Sequence, residues 1–195
     1  LASGHVYGVT ENPMNGWVQT GLSCTGTLTQ GPVSANAINL HPGETVTCTF
    51  TNTKIAPPPP ANACSLSQPP AGYTLLTGGS GNDTMTLITN TMFRGNGGND
   101  RITGGDGNYI ICTGSGNDII SLGNGDDTID AGSGNNTITQ GNGNGNITST
   151  SGNDTITTGT GAHTINAGSG NNTVTTGDGN QTITTTSGND KITTG

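Results

Sequence analysis

Gly114-Ser115-Gly116-Asn117-Asp118-Ile119-Ile120-Ser121-Leu122 is followed by Gly123-Asn124-Gly125-Asp126-Asp127-Thr128-Ile129-Asp130-Ala131, and then by Gly132-Ser133-Gly134-Asn135-Asn136-Thr137-Ile138-Thr139-Gln140. Each nonapeptide opens with glycines, passes through Asn and Asp, and closes on a β-branched stretch. The period runs from about residue 96 to Gly195. One aliphatic residue returns at every ninth position: Ile102, Ile111, Ile120, Ile129, Ile138, Ile147, Ile156, Ile165, Val174, Ile183 and Ile192. Such a clock specifies a stacked repeat, because a globular core has no reason to keep time.

Working outward, the composition fits a narrow core. Only 27% of the chain is hydrophobic and 8% charged, which in an aperiodic sequence would read as disorder. The fixed place of each Ile overrides that reading, since a solenoid needs one apolar stripe per coil. A net charge of −8 with four Lys and Arg argues against nucleic acid and anionic membrane surfaces as partners. No apolar run approaches a membrane span, so membrane insertion is not expected. The opening Leu1-Ala2-Ser3-Gly4 reads as a processed start.

The chain divides into four parts. Residues 1–54 form a small domain carrying Tyr7, Trp17 and Phe50, with alternation at Thr45-Val46-Thr47-Cys48-Thr49-Phe50-Thr51 and turn signals at Asn15-Gly16 and Pro42-Gly43. Residues 55–63 are a proline-rich, semi-rigid linker. Residues 64–95 are an irregular first coil and cap, with Leu75, Met85, Met92 and Phe93 as bulkier core residues. Residues 96–195 are the regular solenoid. The four cysteines show no C-x-x-C spacing and favour disulfides in an oxidising compartment. Of three connectivities, Cys24–Cys48 with Cys64–Cys112 keeps each bridge within its own region.

The first part resembles the prealbumin-like, Cna-B-like β-sandwich modules of bacterial surface proteins. The resemblance rests on Gly4-His5-Val6-Tyr7-Gly8-Val9-Thr10-Glu11, on Gly16-Trp17 and Cys24, and on the stretch from Leu40-His41-Pro42-Gly43-Glu44 to Thr51-Asn52. Members normally have further strands ahead of the one holding Tyr7, so the sandwich is expected to be incomplete, with an open groove that a neighbour's strand fills. Some relatives form a Lys–Asn isopeptide bond assisted by a Glu. Glu11 and Asn52 match two of those three positions; the only lysines are Lys54 and Lys191. The plainer reading makes Glu11 a surface or turn residue and leaves the stapling to Cys24–Cys48.

The repeats resemble the G-G-x-G-x-D-x-U-x nonapeptides of the RTX family, where U is a large aliphatic residue. The resemblance implies an all-β, right-handed parallel β-solenoid (a β-roll), two nonapeptides to each coil, with calcium in the turns. Like positions then stack every 18 residues. One side carries Asp100, Asp118, Asn136, Asp154, Asn172 and Asp190 in succession, with Asp83 ahead of them; the other carries Tyr109, Asp127, Gly145, His163 and Gln181. Coils about 4.8 Å apart let carboxylates and carbonyls of two turns enclose one Ca²⁺. The first set, with Asp127, makes up the candidate metal ligands. The alternation with Asn limits the charge and points to an affinity of about 10⁻⁴–10⁻³ M. An Asn ladder with no ion is the alternative, and the second side is expected to be mostly empty.

Thr flanks the core Ile at Thr137/Thr139, Thr155/Thr157, Thr173/Thr175 and Thr182/Thr184. Such arrays resemble ice-binding faces, or reflect the preference of Thr for strands. His5, His41 and His163 sit with no nucleophile-and-base grouping, so no enzyme is expected. The repeat is still in register at Thr193-Thr194-Gly195, where an uncapped coil invites head-to-tail association. The expectation is a structural subunit of a calcium-stabilised extracellular fibre, polymerising with itself, with any surface or host ligand unidentified. The alternatives are the stalk of a larger RTX adhesin and a monomeric ice-binding solenoid.

Overall fold

The computed structural model describes residues 6–12, 17–27, 32–33, 38–39, 41–54 and 57–195. Contacts divide the chain into two units, Leu1–Ile55 and Ala56–Gly195. The turn expected at Asn15-Gly16 lies outside the described residues.

The first unit holds β1 (Val6–Tyr7), β2 (Trp17–Gly26), β3 (Pro32–Val33), β4 (Ile38–Asn39) and β5 (Val46–Lys54). All pairings are antiparallel: β3-β2-β5 make one sheet and β1-β4 another. Cys24 and Cys48 face each other across β2 and β5 and are disulfide-bonded. The Pro42-Gly43 turn is present, with Gly43 at φ +80. Asn52 Nδ2 donates to Glu11 Oε1 at 2.8 Å, so two of the three positions matching the isopeptide pattern do meet.

The second unit is a parallel β-solenoid. After a short 3₁₀ turn at Ala63–Ser65 come β6 (Thr74–Thr77), β7 (Thr84–Leu87), β8 (Thr91–Arg94), β9 (Arg101–Gly104), β10 (Ile110–Cys112), β11 (Ile119–Ser121) and β12 (Asp127–Ser133). They continue as β13 (Thr137–Gln140), β14 (Gly145–Ser151), β15 (Thr155–Thr158), β16 (His163–Ser169), β17 (Thr173–Thr176), β18 (Gln181–Ser187) and β19 (Lys191–Thr193). Even-numbered strands from β6 to β18 form one seven-stranded sheet, and odd-numbered strands from β7 to β19 the other. The chain alternates between the two, which is what a nonapeptide with one strand per repeat dictates.

Register follows the period. Ile102, Ile120, Ile138, Ile156, Val174 and Ile192 pair in one column, and Ile111, Ile129, Ile147, Ile165 and Ile183 in the other. From Ile102 to Val174 every member is fully buried. The stack is close enough to demand glycine. Gly134 sits at φ +120, and a Cβ there would lie 1.9 Å from the Gly116 carbonyl oxygen of the coil before. Only a residue without a Cβ escapes both penalties.

The first coil is one residue short, pairing Leu76 with Phe93 and Met85 with Ile102. The tight turn ahead of β8 holds Asn90 at φ +62, a conformation Asn tolerates. Phe93 and Met85 join the central core as expected. Leu75 does not: it lies on the outermost strand and is exposed. Met92 is buried in a different cluster, with Ile110, Ala63 and Tyr73, on the outer face of the even-numbered sheet. Strand alternation explains this, since neighbours of the inward Phe93 and Ile111 must point out. The Cys64–Cys112 disulfide pins that outer layer down, and Arg94 donates to the Leu66 carbonyl. The proline run lies along the same sheet: Tyr73 Oη donates to the Pro57 carbonyl at 3.0 Å and Asn146 Nδ2 to that of Ala61 at 3.0 Å.

Candidate metal site

Each Ser-Gly-Asn-Asp or Ser-Gly-Asn-Asn turn positions two side chains with opposite jobs. The first Asn (82, 99, 117, 135, 153, 171, 189) is exposed, and from Asn82 to Asn171 its Oδ1 accepts the backbone N–H of its counterpart one coil later, at 2.7–2.8 Å. The next residue points inward. Asp100, Asp118, Asn136, Asp154, Asn172 and Asp190 each accept, through Oδ1, the N–H of the counterpart one coil earlier, at 2.7–3.0 Å. Backbone N–H groups that no strand partner reaches are thereby satisfied. Both ladders rest on the 18-residue stacking of like on like.

The inner column runs through the interior. Asp100, Asp118, Asn136, Asp154 and Asn172 are buried. Asp83 is half-buried, its Oδ2 accepting from Gly79 N–H at 2.8 Å, and Asp190 lies in the outermost coil, where the Asn172 N–H holds its carboxyl below the usual range. Each ladder bond uses one carboxylate oxygen and leaves the other over. In Asp100 and Asp118 that second oxygen is buried without a hydrogen-bond partner. Such oxygens are costly unless a cation or a proton meets them. Burial accordingly pushes the Asp100 carboxyl up.

Asp100 Oδ2 packs against bare backbone. Gly95 lacks a side chain, and a Cβ there would sit 2.2 Å from Asp100 Oδ2 and 2.6 Å from the Thr113 carbonyl oxygen. Two hard oxygens, Asp100 Oδ2 and the Thr113 carbonyl, thus lie close together against Gly95, with a second unpartnered carboxylate oxygen, Asp118 Oδ2, on the next coil. The donor set fits calcium, which takes carboxylate and carbonyl oxygens in flexible number. Among the described residues no three His, Cys, Asp or Glu side chains gather at one point. An ion here rests as much on backbone carbonyls as on side chains.

The opposite side is filled differently. Asp127 is buried; its Oδ1 accepts the Tyr109 N–H at 2.8 Å and its Oδ2 has no partner. Burial pushes its pKa up to about 7, with Asp126 adding to the rise and the Tyr109 N–H opposing it. Around it the interior is plugged by side chains of matched size. The Tyr109 ring and Leu122 meet over Gly104, and Gln140 and His163 meet over Gly145. His163 is buried, no hydrogen bond meets either ring nitrogen, and burial lowers its pKa, with the Gly159 backbone opposing the shift. Gln140 and His163 as interior plugs were not read from the sequence. The signal was there: five residues apart, a glycine faces a large side chain at Gly104/Tyr109 and again at Gln140/Gly145.

Stacked glycine-turn nonapeptides, an inward Ile per strand and inward carboxylates at the turns define a repeat solenoid of the cation-binding kind. The particular family follows from the repeats themselves. The model of the RTX calcium-binding nonapeptide repeat matches residues 75–87, 90–120, 110–138, 139–174 and 175–195. That is more than half of the chain, and the chain belongs to this family, whose repeats bind calcium. Residues 1–54 match a prealbumin-like fold domain. No curated protein and no solved structure matches the chain. The repeat solenoid is a structural, non-catalytic fold. Together with the prealbumin-like domain and two disulfides it is consistent with a secreted or surface structural protein.

Proposed function

We propose that the chain is the structural subunit of a calcium-stabilised extracellular fibre, joined head to tail, and that it has no enzymatic role. The observation that carries this reading is the repetition of one coil interface: Ile102, Ile120, Ile138, Ile156 and Val174 are each fully buried between like neighbours, and the same turn hydrogen bonds join coil to coil. An interface that each coil makes with its own like can also be made with a coil of a second copy, and a head-to-tail contact of that kind does not close on itself.

The prealbumin-like unit supplies a partner surface of the other sort. The nine-residue β5 has β2 on one side only among the described residues, so a strand from another subunit can add to it. Electron microscopy of the purified chain, with calcium and then with chelator, tests the reading. Uniform filaments lost in chelator are expected. Compact monomers in both conditions overturn it, and favour a stalk segment or an ice-binding monomer instead.

A further inference from the structure

We propose that calcium in this chain is confined to the interval between Asp100 and Asp118, and that from Ala131 onward the inner column is closed to calcium by its own side chains. The inference rests on the calcium-binding reading and narrows it to one place.

The reason lies in what accompanies each inward residue, five positions earlier. Asn136 comes with Ala131 and Asn172 with Ala167, whereas Asp154 comes with Ser149 and Asp190 with Thr185. Where the column holds a carboxylate, the companion is a hydroxyl; where it holds an amide, the companion is a methyl. Ser149 Oγ donates to Asp154 Oδ2 at 2.7 Å and accepts from Asn136 Nδ2 at 3.3 Å. The oxygen that would face an ion is therefore already hydrogen-bonded. The neighbouring amide turns a donor, which cannot ligate a cation, toward the same space.

The first coils break this pattern in three ways. Asp83, Asp100 and Asp118 follow one another with no Asn between them. The companion of Asp100 is Gly95, which has no side chain to hydrogen-bond Asp100 Oδ2, so that oxygen stays unpartnered beside the Thr113 carbonyl. Thr113 Oγ1 donates to the Ala131 carbonyl at 3.2 Å, so Asp118 Oδ2 stays unpartnered. Ahead of this interval Asp83 Oδ2 is taken by the Gly79 N–H at 2.8 Å. Adjacent buried carboxylates repel unless a cation lies between them. Only at Asp100 and Asp118 do both members keep a free oxygen.

Calcium titration of the full chain by calorimetry tests this, with circular dichroism to check that each variant folds. A single ion per chain is expected. Asp118→Asn should weaken binding at least about 10-fold, while Asp154→Asn leaves it unchanged. The paired change Ala131→Gly with Asn136→Asp sets a second unpartnered carboxylate pair, with Asp118, one coil on and should add a second ion, a gain that misfolding cannot mimic. One ion for each stacked pair, or equal losses in Asp118→Asn and Asp154→Asn, overturns the confinement while calcium binding itself stands. No calcium uptake by the unaltered chain overturns the calcium reading and this inference with it.

Discussion

Asn117 accepts the backbone N–H of Asn135 at 2.7 Å. The residues next to them are joined in the opposite sense, Asp118 N–H donating to Asn136 Oδ1 at 3.0 Å. Every turn on this side is thus held twice, once from the exposed column and once from the buried one. The two bonds differ in what replaces them when a side chain is removed. Water reaches the N–H left by Asn117→Ala, so that change should cost about 1 kcal/mol. Asn136→Ala leaves the Asp118 N–H unpaired in the interior and removes the amide bonded to Ser149. Its cost should be about 2–4 kcal/mol. Denaturant unfolding of both variants checks the order; equal losses would mean that burial of the inner column contributes nothing.

Asp127 sets a pH dependence of definite sign. Its folded pKa of about 7 lies above the ordinary carboxylate value, so the folded chain binds the extra proton. Stability from this group is full below about pH 4, falls as pH rises toward 7, and is flat beyond. Asp127→Asn should remove that slope, gaining a few kcal/mol near pH 8 and nothing near pH 4. Thermal unfolding of both proteins across this range, in chelator, is the measurement. A difference that grows toward low pH would contradict the assignment.

The Cys64–Cys112 bridge holds the outer cluster of Ala63, Tyr73, Met92 and Ile110. Replacing both cysteines with Ser should lower stability by about 4 kcal/mol, the loop spanning 48 residues. The Ile columns lie on the inner face of the sheet and are untouched by the change. Far-ultraviolet circular dichroism should therefore persist while Tyr73, released from the Pro57 carbonyl, becomes accessible to solvent quenchers. Loss of both signals together would mean that the outer layer is required for the solenoid to form.

The sequence made the solenoid legible because a single residue type keeps time. Ile at every ninth position forces both the alternation between two sheets and the 18-residue register. The same spacing placed Asp100, Asp118 and Asp154 in one column. It could not say which of the adjacent Asn and Asp turns inward, because that depends on where each turn meets its neighbour coil. The outer layer was harder for a related reason. Met92 reads as part of a single core, yet the doubled apolar residues Met92-Phe93 and Ile110-Ile111 lie on strands buried on both faces. Leu75-Leu76 carries the same doubling and is exposed, since β6 stands at the edge of its sheet. Pattern alone does not distinguish an edge from an interior strand.

Glycine gives the sharpest contrast, because one substitution should have opposite outcomes at two places. Gly105 has nothing within 4 Å of its would-be Cβ. Gly105→Ala should be neutral or stabilising by up to about 1 kcal/mol, through the less flexible unfolded chain. Gly134 combines φ +120 with a Cβ position 1.9 Å from the Gly116 carbonyl oxygen. That oxygen belongs to the backbone of a stacked coil and cannot swing aside. Gly134→Ala should therefore lose about 3 kcal/mol or more, as strain plus a displaced coil. Hydrogen exchange of the two variants locates the damage: protection should fall in β11 to β15 for Gly134→Ala and stay level throughout for Gly105→Ala. A Gly134→Ala chain as stable as the parent would mean that the coils can separate locally, against the close stacking on which both ladders depend.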